Sequence, residues 1–297
     1  MKKLSLSLRL VIVIIFAAAA AAAAIGANAA GYRPLDPVRE FLGIAPPAPI
    51  AAPAKAENAA AMPSAPKLMA PASAFTPGNL VVFRVGNGTT ALNASAAPAF
   101  LDEYTTSGVY IQSFALPTTV TTSGNRALTV GGSAVTEGQI SQSADGQYLS
   151  IAGYNAAVGT SSVAGTTNNG GGSDVNRVIG RGDVYGNIDT STALIGASGA
   201  SIFTGNSVRS SVISGSSIYV GGGNSPYIGL TSLGSNSAPS VTNSSSAVRV
   251  VRVFGGDLYY STGTTLNKFT GNPAAGSNTP TPLVSSGLSS AGAFVLL

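Results

Sequence analysis

Short runs rich in β-branched and aromatic residues recur along the chain after residue 76, and turn residues separate them. The run at 148–153, for example, follows a turn signal formed by Asp145 and Gly146. Runs of this kind, bounded by Gly, Asn, Asp or Ser, are typical of β-strands joined by tight turns. The pattern therefore predicts an all-β domain over residues 76–297.

Two of these segments resemble each other. Residues 207–223 align with residues 247–263 at an offset of 40 residues, and each copy has two strand-like runs joined by a turn that contains glycine. Such a pair predicts a β-hairpin, and a period of about 40 residues is typical of one blade of a β-propeller. The alignment superposes Val208 on Val248, Arg209 on Arg249, Ile213 on Val253, Gly215 on Gly255, Tyr219 on Tyr259 and Gly223 on Gly263.

The strand-like runs group into four units, and they predict a β-propeller with four recognisable blades plus a terminal strand at 292–297. Either the terminal strand closes the ring by completing the first blade, or the chain is a partial ring that stops inside a fifth blade. The apolar end without a polar cap favours the partial ring. An elongated β-solenoid is a third alternative. The predicted strands are 80–85, 99–104 and 109–116 in the first unit and 138–143, 148–153, 177–185 and 187–194 in the second, with the third unit at 207–241 and the fourth at 247–284.

The start of the chain has the parts of a secretory signal peptide. Lys2 and Lys3 are basic, residues 10–25 are apolar, and Ala27 and Ala29 have the spacing of a cleavage site. This predicts a signal peptide at 1–29 and a protein that is secreted, periplasmic or held at the cell surface, with no membrane span after cleavage. An uncleaved anchor is the alternative, because an apolar run of about 20 residues approaches the thickness of a bilayer.

Residues 30–75 are rich in Pro and Ala and lack a sustained apolar period, so they predict a disordered linker between the signal peptide and the β-propeller-like domain at 76–297.

Charge and composition narrow the function classes. Only 9% of the residues are charged, and the sequence pI is about 9.4. From Phe75 onward, however, eight basic side chains balance eight acidic ones, so the basic excess belongs to the N-terminal part and predicts no nucleic-acid partner. The sequence has no Cys and no His, which removes a disulfide framework and the commonest general base and transition-metal ligand. No cofactor is predicted.

Several stretches carry a family resemblance. FLDEYTTSG, SADGQYL and VFGGDLYYSTG are similar to segments of a group of uncharacterised secreted bacterial β-propeller proteins, and the similarity covers most of 76–297. The resemblance implies a secreted propeller and a chain that is short of a full ring. It implies no activity, and no residue inherits a role from it.

Four short motifs have a structural interpretation beside the functional one. Arg181, Gly182 and Asp183 form an integrin-type tripeptide, but a turn between two strands is the simpler role. Asp102 and Glu103 are adjacent in a strand, so they point to opposite faces and cannot converge on one substrate. Asp145 is predicted to be a turn residue rather than a calcium ligand. The glycines after Asn169 lack the Lys-Ser/Thr of a phosphate loop and predict a flexible insertion.

The candidate ligand contacts are arginines and tyrosines. Arginine recurs near predicted strand starts, where it could bind an anion or carbohydrate, or else cap and pair locally within its blade. The sequence therefore predicts an exported, non-catalytic binding or structural propeller, with a polysaccharide or an envelope or extracellular protein as partner. A propeller-type hydrolase or lyase acting on an extracellular polymer is the alternative. The candidates are Arg177, Arg209, Arg249, Tyr227 and Tyr260, together with Arg126, Tyr110 and Tyr154.

Overall fold

The structure is a computed structural model of the 297-residue chain. It describes the backbone of residues 11–12 and residues 74–242, 245–288 and 292–294. The predicted signal peptide (1–29) and linker (30–75) thus lie almost entirely outside the described residues. Of the predicted terminal strand, residues 292–294 are described and are not in a strand, and the rest lies outside.

The regular secondary structure of the described residues is β-strand, apart from one short 3-10 helix, Val163–Gly165, so the all-β prediction is confirmed. Among these residues, no helix is long and apolar enough to cross a membrane. The strands are β1 (Val11–Ile12), β2 (Leu80–Val85), β3 (Ala96–Ala97), β4 (Ala99–Tyr104), β5 (Tyr110–Ala115), β6 (Val130–Gly131), β7 (Ser141–Gln142), β8 (Tyr148–Tyr154), β9 (Arg177–Asp183), β10 (Ile188–Leu194), β11 (Val208–Ser214), β12 (Ser217–Gly222), β13 (Ile228–Thr231), β14 (Val250–Phe254), β15 (Asp257–Ser261), β16 (Leu266–Phe269) and β17 (Thr281–Val284).

The strands form four small sheets that follow one another along the chain. Sheet 1 has the order β1-β2-β4-β5, sheet 2 the order β10-β9-β8-β7, sheet 3 the order β11-β12-β13 and sheet 4 the order β14-β15-β16-β17. Neighbouring strands in these sheets are antiparallel, except that β1 pairs with β2 in parallel. Strands β3 and β6 form a separate pair.

The two middle sheets are buried on both faces. Val178 and Ile179 are neighbours in β9, yet Val178 lies in the apolar core shared with sheet 1 and Ile179 in the core shared with sheet 3. Val212 and Ile213 are likewise neighbours in β11. Val212 lies in the core shared with sheet 4, and Ile213 lies in the core shared with sheet 2. Because neighbouring strand residues point to opposite faces, each middle sheet contributes to two cores. Three apolar cores therefore join the four sheets in chain order.

Most predicted strands form where the sequence placed them, and β2 and β4 match 80–85 and 99–104. The two similar segments are both antiparallel hairpins, with Gly215 at a φ of 59° in one turn and Gly255 and Gly256 at 57° and 86° in the other. The strand predicted at 138–143 is shorter. Gly138 has a φ of 71°, and Gln139 bridges to sheet 3 instead of pairing within sheet 2.

Candidate functional site

The first strands of sheets 2, 3 and 4 meet at one place, which we call the three-strand junction and define by Gln139, Arg209, Ser210, Arg249 and Arg252. The Gln139 N–H donates to the Arg209 carbonyl at 3.3 Å, and Gln139 forms a parallel bridge with Ser210. The Ser210 hydroxyl in turn accepts the backbone N–H of Val251 at 3.1 Å. Backbone and side-chain hydrogen bonds thus connect all three sheets at their entry strands.

Arg252 of β14 joins sheet 4 to sheet 2. Its guanidinium donates to the Ile140 carbonyl at 2.7 Å and to the Ser141 hydroxyl. Burial lowers the pKa of Arg252 to about 10. The sequence did not single out Arg252, because the aligned position of the other hairpin is Val212 and arginine does not recur there.

Arg209 and Arg249 are brought together at the junction. One terminal nitrogen of Arg209 donates to the carbonyl of Val248, the residue that precedes Arg249, at 3.3 Å. Burial lowers the pKa of Arg209, and the positive charge of Arg249 lowers it further. Arg249 packs over Gly263, where an added Cβ would lie 2.5 Å from its Nε. Arg209 and Arg249 are both partly exposed to solvent.

Polar atoms near these arginines are left without partners. The Nε of Arg209 is buried and forms no hydrogen bond, and the side-chain nitrogen and oxygen of Gln139 are also unpaired although Gln139 is only 1% exposed. Within the described residues, no carboxylate lies within 4.0 Å of the guanidinium nitrogens of Arg209, Arg249 or Arg252. The junction therefore has unused hydrogen-bond donors, and its positive charges have no ion-pair partner among the described residues.

The carboxylates, by contrast, all have partners inside the fold. Three of them form ion pairs, namely Asp102 with Arg84, Asp189 with Arg181 and Asp257 with Lys268. The others accept hydrogen bonds from backbone N–H groups or neutral side chains. These are Glu103 with Thr76, Asn79 and Gln112, Glu137 with Gly131 and Tyr154, Asp145 with Ser143 and Gln147, Asp174 with Asn169, Gly170 and Gly171, and Asp183 with Tyr185 and Asn187.

Arg177, a predicted ligand contact, lies in the core and is not exposed to solvent. Its guanidinium donates to carbonyl oxygens that include those of Val175, Thr166 and Phe203, at 2.6 to 2.8 Å. Burial lowers its pKa. The two terminal nitrogens of Arg177 already have protein acceptors. Arg177 connects the loop between β8 and β9 with the loop between β10 and β11, which corresponds to the local structural role that the sequence left open.

The predicted tyrosine contacts are spread over the molecule. Tyr260 is 2% exposed and stacks on Phe269 in the core between sheets 3 and 4, with ring centroids 5.6 Å apart, so a ligand has no access to its ring face. Tyr227 is partly buried against the same core at a φ of 59°. Tyr110 is 41% exposed on sheet 1. None of these three belongs to the junction.

The short motifs have structural roles. Arg181, Gly182 and Asp183 end strand β9 rather than forming the predicted turn, and Asp183 accepts the N–H groups of the turn that follows. Asp102 and Glu103 bind partners on opposite faces of sheet 1, and Asp145 organises its turn, so both of these predictions are confirmed.

The segment after Asn169, which was predicted to be a flexible insertion, hydrogen-bonds to Asp174 through its backbone. One carboxylate oxygen of Asp174 accepts the N–H groups of Asn169, Gly170 and Gly171 at 2.6, 2.7 and 3.0 Å. The glycine-rich turn thus binds a side chain of this chain where a phosphate loop would bind its ligand.

Comparison with protein-family models and with curated proteins finds no match to this chain. The family resemblance of the sequence motifs stays a prediction. Over the described ranges, no group of three or more Asp, Glu, Cys or His side chains is placed to hold a metal ion.

Proposed function

We propose that the chain is an exported, non-catalytic binding protein of β-propeller architecture whose ligand comes from the cell envelope or the extracellular space. The main support is the distribution of charge. Every described carboxylate has a partner inside the fold, whereas Arg209 and Arg249 lie together with no acidic partner among the described residues. Arginines without an acidic partner can bind a ligand, whereas carboxylates that already have partners are poorly suited to act as catalytic acids or bases.

The propeller architecture is supported by how the sheets pack. Four small sheets are joined in chain order by three apolar cores, and the first strands of three of them gather at the junction. In a propeller, each blade likewise buries both faces against its neighbours and directs its first strand to the centre. Small-angle scattering of the purified chain should indicate a compact particle for residues 76–297, and an elongated one would favour the β-solenoid.

The binding function is tested by two measurements on the same preparation. We expect saturable binding to a polysaccharide or an envelope component and no turnover in a broad screen for hydrolase and lyase activity, with metal analysis run in parallel. Robust turnover that copurifies with the chain through successive columns would support the enzyme alternative and contradict the proposal.

A further inference from the structure

Arg209 and Arg249 place two positive charges at the three-strand junction, and no described carboxylate forms an ion pair with either of them. Arg209 reaches the carbonyl of the residue that precedes Arg249, and Arg252 binds the adjacent strand of sheet 2. The positive charge of Arg249 acts against that of Arg209, and Arg209 and Arg252 also lose part of their hydration through burial. A fold usually offsets such a cost with carboxylates, yet the described residues provide none within ion-pairing distance.

Glu137 is the acid whose charge acts on Arg209, and it is already bound. Its two oxygens accept the Gly131 N–H and the Tyr154 hydroxyl, each at 2.9 Å. Glu137 is 2% exposed and forms no ion pair with Arg209. Glu137 therefore acts on Arg209 from a distance but forms no ion pair with either arginine of the pair.

We infer that the three-strand junction binds an oxyanion, a carboxylate, phosphate or sulfate group, between the guanidinium groups of Arg209 and Arg249. This inference rests on the proposed binding function and names the chemistry of the ligand. A guanidinium presents a planar fork of N–H donors that matches two oxygens of such a group.

The two arginines have donors to spare. Arg249 forms no side-chain hydrogen bond or ion pair with a described residue, and Arg209 uses one terminal nitrogen and leaves its Nε unpaired. Arg252 differs, because its terminal nitrogen is already bound to Ile140 and Ser141. Arg252 therefore holds sheet 4 to sheet 2, whereas Arg209 and Arg249 have donors left for a ligand.

The test is a calorimetric titration of the purified chain with sodium sulfate, sodium phosphate, sodium galacturonate and galactose. Galacturonate and galactose form a matched pair that differs in the carboxylate. We expect the oxyanions to bind and galactose to bind at least tenfold more weakly. The affinity should fall as NaCl is added, because salt screens the attraction between the ion and the arginines.

Variants assign the contacts. Arg209→Gln and Arg249→Gln should each weaken oxyanion binding about tenfold to hundredfold, the effect of losing charge-assisted hydrogen bonds. Arg249→Lys should fall between wild type and Arg249→Gln, because the charge remains and the fork is lost. Arg181→Gln is the matched control, since Arg181 is paired with Asp189 at 3.4 Å and should leave the affinity unchanged.

The outcomes separate the ligand chemistry from the general function. Equal binding of galactose and galacturonate, or wild-type oxyanion affinity in a folded Arg249→Gln variant, would overturn the oxyanion inference. If a polymer still bound to the Arg249→Gln variant, the proposed binding function would remain supported and only the oxyanion inference would be wrong. If oxyanions bound but no polysaccharide or envelope component did, the oxyanion site would be supported and the proposed binding function would be contradicted. Tighter binding of galacturonate than of phosphate and sulfate would identify a carboxylate ligand. Tighter binding of phosphate or sulfate would identify a phosphate or sulfate group.

Discussion

The guanidinium carbon of Arg177 lies 5.3 Å from the centre of the Tyr154 ring, and neither side chain is exposed to solvent. On the other side, the Tyr154 hydroxyl donates to Glu137 at 2.9 Å. One buried tyrosine therefore contacts a buried cation through its ring and a buried carboxylate through its hydroxyl. Such an arrangement stabilises both charges without a direct ion pair.

Replacing Arg177 should destabilise the fold. Arg177→Met keeps much of the volume but leaves the carbonyls of Val175, Thr166 and Phe203 without their donor. Losing several buried hydrogen bonds to a charged group should lower the free energy of unfolding by about 3 kcal/mol. Urea denaturation measures the loss, and Arg181→Met at the partly exposed Arg181 is the control. A loss similar to that of the control would contradict the structural role.

The Tyr154 hydroxyl should make stability depend on alkaline pH. Burial raises the pKa of Tyr154 well above its usual value, and the negative charge of Glu137 raises it further. Above about pH 10, the unfolded chain releases this proton while the folded chain retains it. The free energy of unfolding should therefore fall as the pH rises beyond 10.

Tyr154→Phe tests this dependence, because it removes the proton that titrates. Urea denaturation between pH 8 and about 11 should give a shallower decline for the variant than for wild type. Some decline should persist, since burial also raises the pKa of Tyr219 and of Tyr110. Identical slopes for wild type and variant would show that Tyr154 is not the group responsible.

Asp174 should control the order of the glycine-rich turn. Partial burial acts to raise the pKa of Asp174, but the Thr167 hydroxyl and the N–H groups of residues 169–171 lower it more. Because the folded pKa is depressed, the stabilisation is present above the unfolded value of 3.8 and is lost as the pH falls below it.

Hydrogen exchange measures the effect of Asp174 directly. Amides 169–171 should be protected at neutral pH and lose protection in Asp174→Ala or as the carboxylate is protonated. Asp189→Ala, which removes a carboxylate that binds Ser191 and Arg181, is the control and should leave the amides of this turn protected. Unchanged protection in Asp174→Ala would contradict the predicted role.

A side chain at Gly256 should destabilise the hairpin turn of sheet 4. An added Cβ would meet no atom within 4 Å, yet the φ of 86° lies in the left-handed region. Gly256→Ala should therefore lower the free energy of unfolding by about 1 kcal/mol through backbone strain alone. Gly172→Ala, equally free of contacts but without a positive φ, should change it little. Thermal unfolding of both variants makes the comparison, and equal effects would contradict it.

Local signals explain what could be predicted from the sequence. Turn residues at Gly215, Gly255 and Gly256 sit where the hairpins reverse, and the opposite orientation of Asp102 and Glu103 follows from strand geometry alone. Contacts between residues that are far apart in the sequence could not be predicted. Gln139 leaves its own sheet to bridge to Ser210, and no local pattern indicates this.

The sequence by itself determined the β-strands, their turns and the separation of neighbouring side chains onto two faces, because these depend on residues close together in the chain. Only the tertiary structure decided which arginines are free. Arg177 and Arg249 look alike in sequence, but distant loops surround the first with carbonyl acceptors and leave the second with none among the described residues. The junction also depends on Arg252 and Ile140, which are 112 residues apart, so only the packing of the sheets brings its strands together.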